Sequence, residues 1–183
     1  MKRSLFFFIV LLSLSGAVSA ENQVTVNLSS DRLPVIPSLS SYDDIFVQYC
    51  GDVEQSYTQN ASGKNSDVHF YAYTAVKGDS LFTIAAACSI PYETIATLNS
   101  IENSTLPLQG TTLVIPTCAG LFVCEKPLSS IEILVAEKCA SLIEQNNKIW
   151  YSIGKRSFCF LANERFSSTE RASRPIAPNT APP

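Results

Sequence analysis

Few residues in this 183-residue chain are suited to chemistry: one His and six Cys stand out. His69 is alone, so no site with two imidazole ligands can form, and it sits just ahead of an aromatic run where a surface or strand-edge role is expected. Serine nucleophiles lack both a Gly-x-Ser-x-Gly elbow and an evident base. Glu132 and Glu137 are five apart and fall on different faces of a helix, and Glu102 has no second carboxylate to complete a hydrolase pair. Zinc knuckles want Cys-x-x-Cys, whereas the closest cysteines, Cys118 and Cys124, have five residues between them. These residues predict no catalytic group, no metal site and no cofactor, and they favour a binding protein.

The elements that would position such a binding surface begin after a leader. Lys2 and Arg3, the apolar run Leu5 to Leu12 and Val18-Ser19-Ala20 have the three-part layout of a signal peptide over residues 1–20. The run is short of the ~18–20 residues that span a bilayer. An exported protein is therefore expected, in a periplasmic, cell-envelope or extracellular setting. Loss of Lys2 and Arg3 moves the formal charge from −3 to −5, which argues against a nucleic-acid partner. In an oxidising compartment Cys50, Cys88, Cys118, Cys124, Cys139 and Cys159 are disulfide candidates, with Cys139–Cys159 favoured and Cys88 with Cys118 or Cys124 next. The sequons at Asn27, Asn60 and Asn103 matter only in a host that glycosylates them.

Five stretches follow from texture: the leader 1–20, an irregular N-terminal segment 21–68, a patterned module 69–118, a helix-plus-hairpin extension 119–170 and a Pro-rich tail 171–183 without periodicity. In the first of the mature stretches Ile45-Phe46-Val47 with Tyr49 reads equally as a strand or a helical turn. In the extension Ser129 and Ser130 are N-cap candidates for a helix carrying Ile131, Leu134, Val135, Cys139, Leu142 and Ile143, and Ile149–Ile153, Gly154–Arg156 and Ser157–Leu161 read as strand, turn, strand. Trp150 is expected to be a core anchor. The fold class is α+β.

Residues 69–116 read as β-α-α-β. Phe70–Val76 is aromatic and β-branched, and Gly78-Asp79-Ser80 punctuates it, with Asp79 and Ser80 as helix caps. Leu81, Ile84, Ala85 and Cys88 then share a helix face. Pro91 and Glu93 open a second helix whose buried face takes Tyr92, Ile95, Ala96 and Leu98, and Asn99 sits at its C-terminus. Thr112–Ile115 closes the unit as a strand.

Tyr73-Thr74-x-x-x-Gly78-Asp79-Ser80-Leu81-x-x-Ile84-Ala85, Ile95-x-x-Leu98-Asn99 and Gly110-x-x-Leu113-x-Ile115-Pro116 resemble a LysM domain. The resemblance covers about a quarter of the chain and departs at Ala75, Cys88 and Ser89, where a larger apolar residue, an aromatic and a Gly are usual. It implies a module that binds GlcNAc-containing glycans, peptidoglycan or a chitin-type polymer, in a shallow groove between two loops. The matching positions are Gly78, Asp79, Ser80, Leu81 and Phe82 on one loop and Asn99, Ser100 and Ile101 on the other. A fainter resemblance, to the front half of LysM-containing lysostaphin-type zinc endopeptidases, implies as alternatives a truncated or targeting portion of such an enzyme, or a cell-wall hydrolase as partner. A secreted chitin-binding effector is the remaining alternative.

Overall fold

A computed structural model of the protein describes residues 24–28, 32–145 and 149–166. The leader and the Pro-rich tail lie outside them. The order is β1 (Val24–Leu28), β2 (Val35–Ile36), α1 (Asp44–Ala61), β3 (Phe70–Thr74), α2 (Leu81–Ala87), α3 (Tyr92–Asn99), β4 (Thr112–Pro116), β5 (Gly120–Cys124), α4 (Ser130–Gln145), β6 (Ile149–Ile153) and β7 (Arg156–Ala162). The architecture is α+β, with two small sheets ordered β2-β3-β4 and β1-β6-β7-β5.

The first sheet carries the βααβ unit. β3 and β4 pair antiparallel, with Ala72 opposite Val114, and β2 adds in parallel to the free edge of β3. Helices α2 and α3 connect β3 to β4. Together they bury Tyr71, Tyr73, Leu81, Ile84, Ile95, Leu113 and Ile115 in one cluster. The sheet thus places the two turns that flank α2 and α3 at one end of the module.

The segment expected to be irregular contains an 18-residue helix, α1. Phe46, Tyr49, Val53 and Ser56 are its buried residues, spaced at three and four positions as one helix face requires. Asp43 caps it, its side chain accepting from the Phe46 N–H at 2.8 Å. The Tyr49 ring meets Tyr71 edge-on at 5.2 Å, and its hydroxyl lies 3.3 Å from the Cys88 carbonyl and 3.2 Å from that of Pro116. Ser56 donates to the Thr117 carbonyl at 2.8 Å. Helix α1 is therefore a lid on the βααβ core. Its polar face hid it, since only one stripe of a long Ser-, Gln- and Asn-bearing segment is apolar.

The extension forms the second sheet. The helix and hairpin are where the sequence places them, and Gly154 turns the hairpin at φ 60°, a left-handed conformation that suits glycine. Two strands were not anticipated: β1 pairs in parallel with β6, and β5 pairs antiparallel with β7. The β5 strand also runs beside α3, where Thr94 donates to the Gly120 carbonyl at 2.6 Å and Thr97 accepts from the Phe122 N–H at 3.1 Å. Two hydroxyls one turn apart thus occupy part of an otherwise open strand edge. Phe70 and Leu98 of the module join Phe122, Tyr151 and Phe158 of the extension in one buried cluster. Trp150 is half-buried beside a third cluster, its indole N–H lacking a partner among the described residues.

The cysteines are spread through the fold: Cys88, Cys118, Cys124 and Cys139 are buried and Cys50 is exposed. Cys88 belongs to the module core and Cys124 to the shared cluster. The Cys118 thiol lies 3.4 Å from the Asp67 carbonyl. Cys139 and Cys159 do share the extension's cluster with Leu121 and Val123. These side chains fill apolar space as small hydrophobes do. Burial raises the Cys88 thiol to about 12.

Candidate functional site

The first loop leaves β3 through a turn that needs Gly78, whose φ is 96°. Asp79 does not cap α2. Its carboxylate points back into the turn and accepts from the Val76 N–H at 2.7 Å and the Tyr73 hydroxyl at 2.6 Å. Burial, and then this bond, hold the Tyr73 hydroxyl well above its usual range. Ser80 is the cap, in a reciprocal box with Thr83: Ser80 Oγ accepts from the Thr83 N–H and Thr83 Oγ1 accepts from the Ser80 N–H at 2.8 Å. Leu81 is buried in the core. Phe82 is 51% exposed and meets Tyr92 of α3 edge-on, ring centroids 5.1 Å apart. Tyr92 was expected on the buried face, but it opens outward and makes an exposed aromatic pair.

The second loop begins at the C-terminus of α3. Ser100 is left-handed at φ 57°, and the Ile101 N–H reaches back to the Ala96 carbonyl at 3.0 Å, ending the helix. The Asn99 side chain faces β4, accepting from the Val114 N–H at 2.7 Å and donating to the Val114 and Ile95 carbonyls at 2.8 and 2.9 Å. Its amide is fully committed, so Asn99 pins the loop to the sheet. Ile101 is half-buried against the module core. Asn103 closes the next turn by accepting from the Thr105 N–H at 2.9 Å.

The second loop borders a cleft of about 190 Å³ that the first loop reaches only through Leu81. Leu81, Ser100, Ile101 and Glu102 line one side with Tyr92 and Ala96. Phe122, Ile131, Glu132, Val135 and Phe166 line the other. That second wall comes from the extension and was not foreseen. Its one sequence signal was Ser129-x-x-Glu132, which forms a capping box on α4: Ser129 Oγ accepts from the Glu132 N–H at 3.2 Å, and Glu132 accepts from the Leu128 and Ser129 N–H groups. Of the eight glycan positions read from the sequence, Leu81, Ser100 and Ile101 line the cleft, Phe82 stands exposed at its rim beside Tyr92, and Gly78, Asp79, Ser80 and Asn99 shape the two loops.

His69 lies outside this region. It is a surface residue whose Nδ1 is 3.2 Å from Asp52 Oδ2, and that carboxylate also accepts from the Tyr71 hydroxyl at 2.7 Å. Among the described residues no group of three His, Cys, Asp or Glu side chains is placed to hold a metal ion.

The βααβ unit thus presents an apolar cleft beside its second loop and an exposed aromatic pair. Residues 73–116 match the family model of the LysM domain, and the chain carries one such domain. LysM domains bind GlcNAc-containing glycans such as peptidoglycan and chitin. Searches of curated proteins and of solved structures found no match to the chain.

Proposed function

We propose that the protein is an exported, non-catalytic binder of peptidoglycan or a related GlcNAc polymer, holding the sugar between Gly78–Phe82 and Asn99–Ile101. The observation that carries this reading is the match of residues 73–116 to the LysM domain, supported by the cleft that Ser100 and Ile101 of the second loop border. In this reading the backbone amides of the loops bond the acetamide, Leu81 and Ile101 pack on its methyl, and the Phe82–Tyr92 pair offers an apolar surface to a sugar ring. The module is proposed to span residues 69–118, followed by the extension to 170. The apolar run at residues 5–12 and Val18-Ser19-Ala20 support export.

The test is co-sedimentation of the purified protein with insoluble peptidoglycan and with chitin, with GlcNAc oligomers as competitors. A shallow single site of this kind is expected to bind with Kd of roughly 0.01–1 mM. Ile101→Ala should weaken binding and, because the side chain packs partly on the module core, lower the thermal midpoint less than Asp79→Ala does. Asp79→Ala should lower both, because it strands the Val76 N–H and the Tyr73 hydroxyl. Retention by neither polymer would refute the reading, and so would release of soluble fragments from peptidoglycan that tracks this polypeptide.

A further inference from the structure

Ser100 sits in the second loop, and its hydroxyl is already engaged. Arg156, the first residue of β7, donates from Nη1 to Ser100 Oγ. Its Nη2 donates to Glu132 Oε1 at 2.7 Å and to Cys124 Sγ at 3.2 Å. Glu132 is fixed in turn by the N–H groups of Leu128 and Ser129. The Glu132 side chain is only 7% exposed, so this ion pair is one in which geometry is held and water largely excluded. The guanidinium also lies 5.3 Å from the centre of the Phe158 ring, which restrains its plane. Three elements of the extension, β5, α4 and β7, therefore converge through one Arg on one residue of the LysM loop.

The engaged residue is a strained one. A serine at φ 57° occupies a region that glycine or asparagine adopts more readily, and such conformations persist where the surroundings over-determine them. Ile101, the half-buried cleft residue, follows it directly, so the rotation of the chain at Ser100 decides where Ile101 and the next amides point.

We propose that Arg156 is a positioning residue for glycan binding: by donating to Ser100 while paired with Glu132, it lets the C-terminal extension set the conformation of the Asn99–Ile101 loop and thereby the affinity of the LysM cleft. This rests on the functional reading above. The extension then acts as a brace for the site, and the loop's competence depends on residues more than thirty positions away in sequence. Arg165 is the natural comparison. It pairs with Glu93 at 3.3 Å through both Nε and Nη2, so it ties the extension to the same helix, α3, without touching the loop.

The experiment titrates a GlcNAc tetramer into the full protein and into Arg156→Ala, Arg156→Lys and Arg165→Ala, with thermal midpoints and amide exchange measured on each. Arg156→Ala should weaken binding by roughly 3- to 30-fold and speed exchange at Ile101. Arg165→Ala should lower the midpoint while leaving affinity within about twofold. Arg156→Lys keeps the charge beside Glu132 but lacks the fork that reaches Ser100 and Glu132 together, so it should recover the midpoint more than the affinity. If Arg156→Ala binds the tetramer as tightly as the unmodified protein, or if Arg165→Ala loses affinity in equal measure, the positioning role is wrong and the functional reading survives. If the unmodified protein binds no tetramer, the functional reading fails and takes the proposal with it.

Discussion

At the residue scale, Glu132 shows how partners decide the state of a buried acid. Burial alone would push its carboxyl up, but hydrogen bonds from Ser100, the Leu128 N–H, Arg156 and the Ser129 N–H outweigh it and bring it down to about 2. A carboxyl whose folded pKa lies below its ordinary value of 4.5 stabilises the fold fully above that value. The contribution fades as pH falls from about 4.5 toward about 2. Glu132→Gln should therefore unfold at lower urea than the unmodified protein at pH 6, and the gap between the two should narrow as the buffer approaches pH 2. Parallel midpoints across that range would show that Glu132 is not ionically engaged. Only the Ser129-x-x-Glu132 box could be read from the sequence. There Glu132 was weighed against Glu137 on the same helix, whereas its partner Arg156 is brought to it by the fold.

At the scale of elements, legibility followed local periodicity. The LysM unit was readable because α2 and α3 are short, strongly patterned and bounded by Gly78, Pro91 and Gly110. Helix α4 and its hairpin were readable for the same reason. Helix α1 was not, because its buried stripe is one residue in three or four among polar neighbours, and β1 and β5 were not, because the alternating Val24–Leu28 and the apolar Leu121–Cys124 are too short to stand out before pairing with β6 and β7 places them. The Gly120 position carries a mark that only the fold explains. A Cβ there would run into the Leu161 carbonyl and lie 2.6 Å from the Phe160 ring, so β5 and β7 approach closely because the side chain is absent. The obstructing atom includes backbone, which cannot swing aside. Gly120→Ala should cost about 1–3 kcal/mol in urea unfolding, with the loss concentrated in β5 protection by amide exchange. An unchanged midpoint would mean that the strands separate more freely than this register allows.

At the scale of the whole molecule, the LysM unit is joined to its surroundings on two sides. Helix α1 covers one side with Phe46, Tyr49 and Val53, and the extension covers the other through Phe122, Tyr151 and Phe158 against Phe70 and Leu98. Each large apolar side chain returned to water costs about 1.5–3 kcal/mol. Several such losses rival the roughly 5–15 kcal/mol by which a domain is stable at all. A unit of about 50 residues starts from a small buried fraction, so it has little reserve to absorb them. Polar costs act in the same direction, since without the extension the Thr94 hydroxyl loses the Gly120 carbonyl and Glu93 loses Arg165. A fragment of residues 69–118 should accordingly unfold at markedly lower urea than one of residues 32–166, bind a hydrophobic dye, and hold GlcNAc oligomers more weakly even where it is folded. If the short fragment matched the long one in midpoint and affinity, α1 and the extension would be attachments to an independent module, and the interfaces described above would contribute little to it.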